Sequence, residues 1–180
     1  VRGRVGRCGR GGGRAVVASG VGRDRALISA IRSALALDGQ ANELELDSAL
    51  IDLALALDAV SDAPASVSPV TRAVVDAACA LIRDKLEDGI SLAELETVTG
   101  QDRWQLCRDF RTLRGTSPAR YLTQRRLDVV RQGLIRRQPL AELADAAGFA
   151  DQAHMSRQFK AAYGISPGRY ARTIVQDRAA

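Results

Sequence analysis

This 180-residue chain is poor in aromatic residues, has one histidine and three cysteines, and lacks any long apolar run. Aromatics make up 4% of it against 46% hydrophobic residues, so the core must be aliphatic, built from Ala, Leu, Val and Ile. That composition favours packed helices over a sheet sandwich, which draws on β-branched and aromatic residues. No apolar stretch approaches ~20 residues, so no membrane-spanning helix is expected. Residues 1–24 lack the apolar core and small-residue cleavage site of a secretory signal, and a cytoplasmic location is expected. Cys8, Cys79 and Cys107 are odd in number and match no zinc spacing, so they read as reduced thiols. Without companions for those cysteines or for the lone His154, no metal, cofactor or enzymatic activity is expected.

Lysine is nearly missing as well. Of 26 basic residues only Lys85 and Lys160 are lysine; the rest are arginine. Arginine pairs best with phosphates and guanine edges, although many basic proteins merely have solvated faces. The charge is unevenly spread. Residues 1–24 carry six Arg and one Asp, residues 25–70 carry two Arg against seven acids, and the remainder is basic again.

The organisation expected from these patterns is all-α. Residues 1–24 are a disordered Gly/Arg-rich arm, either touching DNA phosphates or without a role. Residues 25–60 hold a helical hairpin, with Leu27, Ile28, Ile31, Leu35 and Leu37 near one stripe and leucines almost surrounding the second helix. So apolar a pair must pack on a second copy, on the rest of the chain or on a further domain. SDAPASVSP opens a linker, 61–70. An amphipathic helix follows, closed by Gly89.

The rest of the chain repeats itself. SLAELETVTG at 91–100 is echoed by PLAELADAAG at 139–148. GTSPARYL at 115–122 is echoed by GISPGRYA at 164–171. Ser91 with Glu94 makes a capping box, and Pro139 opens the equivalent helix. Gly100 and Gly148 end the short helices, Asp102 and Asp151 cap the next ones, and Gly115 and Gly164 stop those. Ser-Pro then restarts the chain as helix, and Tyr121 and Tyr170 fold back as plugs. Helix, glycine turn, helix is the helix-turn-helix plan, present at 91–113 and 139–162. Leu106, Phe110 and Leu113 face inward in the first copy, and Met155, Phe159 and Ala162 in the second.

Between the motifs runs a helix of about 18–20 residues, roughly 27–30 Å long at ~1.5 Å per residue. Leu127, Val130 and Leu134 point inward; Arg125, Arg126, Arg131, Arg136 and Arg137 lie on other faces. Major grooves on one side of B-DNA recur every ~34 Å, so such a rod would seat two helices in successive grooves, bending the DNA if slightly short. The candidate reading helices are 102–113 and 151–162. Their outer faces are expected to hold Arg103, Trp104, Cys107, Arg108 and Arg111, and Gln152, Ala153, Ser156, Arg157 and Lys160. Trp104 is either a stacking group or core. His154 either donates to a phosphate or serves as an ordinary surface or cap residue.

The run LAEL…G…LCRDF…GTSPARYL…RRLDVVRQGL…PLAELADAAGFADQAHMSRQFKAAYGISPGRY resembles the DNA-binding domain of AraC/XylS-type bacterial transcription regulators. The resemblance covers about residues 71–175. It implies seven helices with two helix-turn-helix motifs and a bacterial regulator, an activator or a repressor of transcription. By position it puts base reading on Trp104, Cys107, Arg108, Gln152, Ala153, Ser156 and Arg157. Arg103, Arg111, Arg125, Arg126, Arg136, His154 and Lys160 are the expected phosphate ligands. Asp109 stands where the family usually has an apolar residue, and Cys107 where a polar reader is common. Residues 25–60 look like the helical remnant of a sensor and dimerisation region. The expected partners are double-stranded DNA, a second copy through residues 25–60, and RNA polymerase. The competing expectation is a truncated module that dimerises with full-length relatives and titrates them. A cysteine-based DNA-repair enzyme, whose modules also adjoin such domains, is disfavoured by the isolated cysteines.

Overall fold

The computed structural model describes residues 25–37, 39, 41–58 and 69–177. The Gly/Arg-rich segment 1–24, residues 59–60 at the end of the expected hairpin and residues 61–68 of the expected linker lie outside the described residues. Among the described residues there are nine helices and no strand. Helices α1 (Arg25–Leu35) and α2 (Glu43–Asp58) form the hairpin. Helices α3 (Pro69–Asp84), α4 (Leu92–Thr99) and α5 (Arg103–Arg114) make the first motif and its supporting helix. Helix α6 (Pro118–Ile135) leads to α7 (Leu140–Ala146), α8 (Gln152–Tyr163) and α9 (Pro167–Asp177). Helix α3 starts at Pro69, inside the stretch expected to be linker, because proline fits the first helical turn, where an N–H would go unused. None of the described helices is long and apolar enough to cross a membrane.

The punctuation read from the sequence is what delimits the helices. Ser91 and Glu94 form a full capping box on α4. Asp102 accepts from the N–H groups of Trp104 and Gln105 at the start of α5, and Asp151 from that of His154 at the start of α8. Ser117 caps α6 with Pro118 behind it. Asn42 and Glu45 exchange reciprocal bonds of 2.9 and 3.1 Å at the start of α2.

Two apolar clusters form, and α6 belongs to both. Its first half gives Ala119 and Leu122 to a core with Val75, Ile82, Leu95, Leu106 and Phe110. Its second half gives Leu127, Val130 and Leu134 to a core with Leu143, Met155 and Phe159. Tyr121 meets Phe110 edge-on at 5.6 Å, and Tyr170 meets Phe159 at 5.4 Å, each closing the floor of its motif. Ala162, expected inward, is exposed. The half-buried Tyr163 takes its place, 4.5 Å from the ring of Phe159.

The hairpin docks on the first core through Leu44, Ile51 and Leu55. Much of its apolar surface stays in solvent: Leu35 is 80% exposed and Leu50 67%, with Ile28, Ile31, Leu46 and Leu57 also exposed. The stripe expected on α1 is therefore largely uncovered, and Ala30 is that helix's buried contact.

Gly148 holds the second motif against the first. Its φ is +73°, and a Cβ there would lie 2.4 Å from the Glu87 carbonyl oxygen and 2.6 Å from that of Leu86. Backbone cannot retreat as a side chain can. Gly148→Ala should therefore lower stability in urea denaturation by about 3 kcal/mol, from left-handed strain plus overlap. Gly100→Ala, at a similar φ of +65° but facing open space, should cost about 1 kcal/mol.

Candidate nucleic-acid interface

Helix α5 is amphipathic with its inward side set by Leu106 and Phe110, both fully buried. Opposite them Trp104, Arg108 and Thr112 are exposed at intervals of four, with Trp104 48% exposed, which places it outside the core. The flank between carries Arg103, Cys107 and Arg111, and α2 lies against it. Arg103 pairs with Glu96 at 2.9 Å and with Asp47 of α2 at 3.3 Å. Arg111 pairs with the Asp52 carboxylate at 2.8 Å and donates to the Asp52 carbonyl oxygen at 3.2 Å. Asp52 is 4% exposed. Burial pushes its carboxyl above the ordinary range, opposed by the neighbouring Arg111 and Arg120 guanidiniums.

Cys107, expected to read a base, is fully buried instead. It sits in the first core, which also takes in α2 residues Ile51 and Leu55. Burial pushes its thiol up to about 12, so it stays protonated and apolar in character. A helical wheel of α5 puts this position toward the outside; the neighbour that covers that side comes from a distant part of the chain. Asp109, the unusual acid of this helix, is satisfied by amide groups from Gln101 at 2.6 Å and Gln105 at 2.8 Å.

Helix α8 exposes Gln152, Ala153, Arg157 and Lys160, and leaves Ser156 half-buried. His154, a candidate phosphate donor, is 4% exposed. Its ring stands edge-on to Phe149 at 5.5 Å and lies 3.4 Å from the Gln158 amide nitrogen. Its place beside Met155, on the side that meets the preceding turn, takes it out of reach of solvent.

The α6 arginines divide. Arg126, also expected on a phosphate, is 6% exposed. Its Nε donates to the Leu86 carbonyl at 2.8 Å and its Nη2 to that of Glu87 at 3.4 Å, and Phe149 lies 5.9 Å from its guanidinium. These are carbonyls beyond the end of α3, so Arg126 joins the first motif's supporting helix to the second motif's turn. Arg125 is half-buried, paired with Asp128 at 3.0 Å and 5.3 Å from the Tyr121 ring. Arg136 is exposed at the end of α6. The sequence reading did not single out Asp47 and Asp52; the acidic balance of 25–70, between two basic segments, was the available signal.

Residues 95–173 match the family described as "Helix-turn-helix domain". The chain is 31% identical over 96 residues to "Multiple antibiotic resistance protein MarA" of Escherichia coli, covering 53% of this chain and 76% of MarA. Among solved structures, a transcriptional regulator of Chromobacterium violaceum described as having an AraC-type DNA-binding domain superposes with a TM-score of 0.55 at 24% identity, over 61% of this chain and 98% of that one. The chain belongs to the AraC-type helix-turn-helix family.

Further similarities extend the comparison. "Probable transcriptional regulator LumQ" of Photobacterium leiognathi is 37% identical over 90 residues, which is 49% of this chain but 36% of LumQ. This chain thus spans about a third of LumQ and about three quarters of MarA. The C-terminal domain of AraT, a response regulator of Geobacillus stearothermophilus, superposes with a TM-score of 0.52 at 26% identity, over 61% of this chain and 88% of that one. Helices α3–α9 supply the seven helices that the AraC-type resemblance implies.

The two neighbouring arginines of α6 should behave differently when truncated. Arg126→Met should lower stability by about 3 kcal/mol, because buried carbonyls lose a charged donor. Arg125→Met should cost less than about 1 kcal/mol, as expected of a half-exposed pair. Chemical denaturation of the two variants measures both.

Proposed function

We propose that this chain is a sequence-specific DNA-binding transcription regulator that seats α5 and α8 in successive major grooves of double-stranded DNA. The observation that carries this reading is the membership of α6 in both cores. A shared rod of 18 residues separates two helices that begin on an Asp cap, end on a glycine and expose a polar or arginine-bearing face. At ~1.5 Å per residue the rod spans about 27 Å, somewhat less than the ~34 Å groove repeat, so the DNA bends toward the protein.

The roles follow from chemistry and exposure. Arg108 and Arg157 present guanidiniums suited to guanine N7 and O6, and Gln152 an amide suited to adenine N6 and N7. Trp104 and Ala153 offer apolar contact to thymine methyl groups, and Ser156 a hydroxyl at the edge of the face. The exposed Arg136 and Lys160 suit phosphates, as would Arg111 once parted from α2 and Arg103 once parted from both Asp47 and Glu96. Cys107, Arg126 and His154 drop out of the interface. Activation would add a contact with RNA polymerase.

A second reading, a truncated module that pairs with its relatives and titrates them, is favoured by one observation. The exposed Ile28, Ile31, Leu35, Leu46, Leu50 and Leu57 make residues 25–60 suited to burying a second copy. Selection of bound sites from random DNA, followed by footprinting, separates the two. The proposed function requires two protected stretches about 10 base pairs apart on one face of the duplex. A chain that self-associates yet selects no sequence leaves the second reading standing.

The contact assignment has its own check. Arg108→Ala and Arg157→Ala should each lose about 1–3 kcal/mol of specific binding and relax preference at one base pair. Arg136→Ala should weaken all sequences alike and lower the salt slope by about one unit. Equal losses on random and selected DNA for the first two would refute base reading by those arginines.

A further inference from the structure

We propose that α2 is an autoinhibitory cover on α5, which must lift away before α5 can enter a major groove fully. This rests on the DNA-binding reading above and adds a closed state to it.

The geometry of α5 makes the case first. Residues turn about 100° apiece around a helix, so Arg111 lies about 20° from Trp104 and Cys107 about 60° from it. Arg111 and Cys107 therefore belong to the half of the helix that bears the exposed Trp104 and Arg108. Helix α2 lies along the edge of that half, where it meets the flank facing the core. Cys107 is fully buried and Arg111 is held by both the carboxylate and the carbonyl of Asp52. A major groove about 12 Å wide admits one helix of about 10–12 Å diameter. A second helix packed beside it at about 8–10 Å between axes cannot follow it in.

Charge points the same way. On this flank Asp52 takes Arg111, and Asp47 shares Arg103 with Glu96 of α4; both α2 acids occupy the place that phosphates on the groove wall would hold. The hairpin thus competes with DNA for the same cations as well as for the same space.

The hairpin's seat is also suited to release. A cleft of about 530 Å³ runs beneath it, lined by Glu45, Ser48, Asp52, Arg120, Gln124 and Tyr163 among others. The Ser48 hydroxyl is buried at the cleft wall with no hydrogen-bond partner among the described residues. An open cleft and an unmatched buried hydroxyl lower the cost of lifting such a segment.

The test uses the full chain carrying Asp47→Asn and Asp52→Asn together, beside Asp84→Asn with Asp88→Asn, which changes net charge equally at the end of α3. Affinity for a duplex selected by the wild-type chain is measured at 50 and 200 mM salt. N-ethylmaleimide modification of Cys107 and Cys79 in the free proteins is followed by peptide mass. The hairpin variant should bind more tightly than the control. One added phosphate contact, from the released Arg111, at ~0.9 in the salt slope makes the gain about three- to fourfold larger at 50 mM than at 200 mM. Cys107 should be modified faster in this variant, while Cys79, buried in α3, keeps its slow rate. If Cys79 accelerates equally, the core has opened, and Asp47→Asn alone, at a half-buried position, is judged by the same criteria. Binding no tighter than the control overturns the proposal while leaving the DNA-binding reading intact. Absence of sequence-selective binding in the wild type and in every variant overturns both.

Discussion

The constraint on which this molecule depends is that one helix is built into two cores. Leu122 and Leu127 are five residues apart on α6, yet they sit in different apolar clusters. Neither motif can move along α6 without emptying its own core, so the rise of a single α-helix sets the distance between α5 and α8. Arg126 sits at the crossing point. A buried guanidinium is costly, and here it is retained with carbonyls of Leu86 and Glu87 on one side and the Phe149 ring on the other. Gly148 closes on those same two carbonyls. The rotation of the second motif about the α6 axis is thus fixed by backbone contact with the first, in addition to the spacing.

Much of this was legible because it is local. Caps, stop glycines and Ser-Pro restarts act within four residues, and the repeated octet marked the same stop-and-restart in both halves. Inward residues at spacings of three and four located both cores, with Ala162 the exception, since Tyr163 beside it had the larger surface to bury. What the sequence could not reveal depended on neighbours brought in from elsewhere. Arg126 reads as one more surface arginine until the end of α3 is placed beside it. His154 reads as a surface donor until Phe149 and the preceding turn close over it. Cys107 reads as outward until α2 covers it. In each case the helical wheel gave the direction of the side chain correctly relative to its own helix and said nothing of what lay there.

The uneven charge of the chain now has a structural counterpart. The acidic segment 25–70 contains Asp47 and Asp52, which pair across more than fifty residues of sequence with Arg103 and Arg111. Asp52 pays for its burial by desolvation and is compensated mainly by Arg111, a buried-pair arrangement in which losing one partner harms more than the intact pair helps. Such a pair contributes orientation more than stability. It fixes which flank of α5 the hairpin meets, while the apolar contacts of Leu44, Ile51 and Leu55 supply the attraction.

The two motifs are therefore unequal in spite of their shared plan. Two arginines of α5, Arg103 and Arg111, pair with acids on α2, whereas Lys160 on α8 stands exposed near the far end of its helix. In the proposed function, α8 offers its exposed Gln152 and Ala153 to base edges. Engagement of α5 would follow, adding its own base contacts only after the hairpin's ion pairs are exchanged for phosphates. With α6 shared by both cores, a first contact through α8 would, in the proposed function, hold α5 beside the neighbouring groove at a high local concentration and make the exchange of anions an intramolecular step. Discrimination between sites would then be strongest where both grooves fit, since a site satisfying α8 alone gains nothing to offset lifting the hairpin.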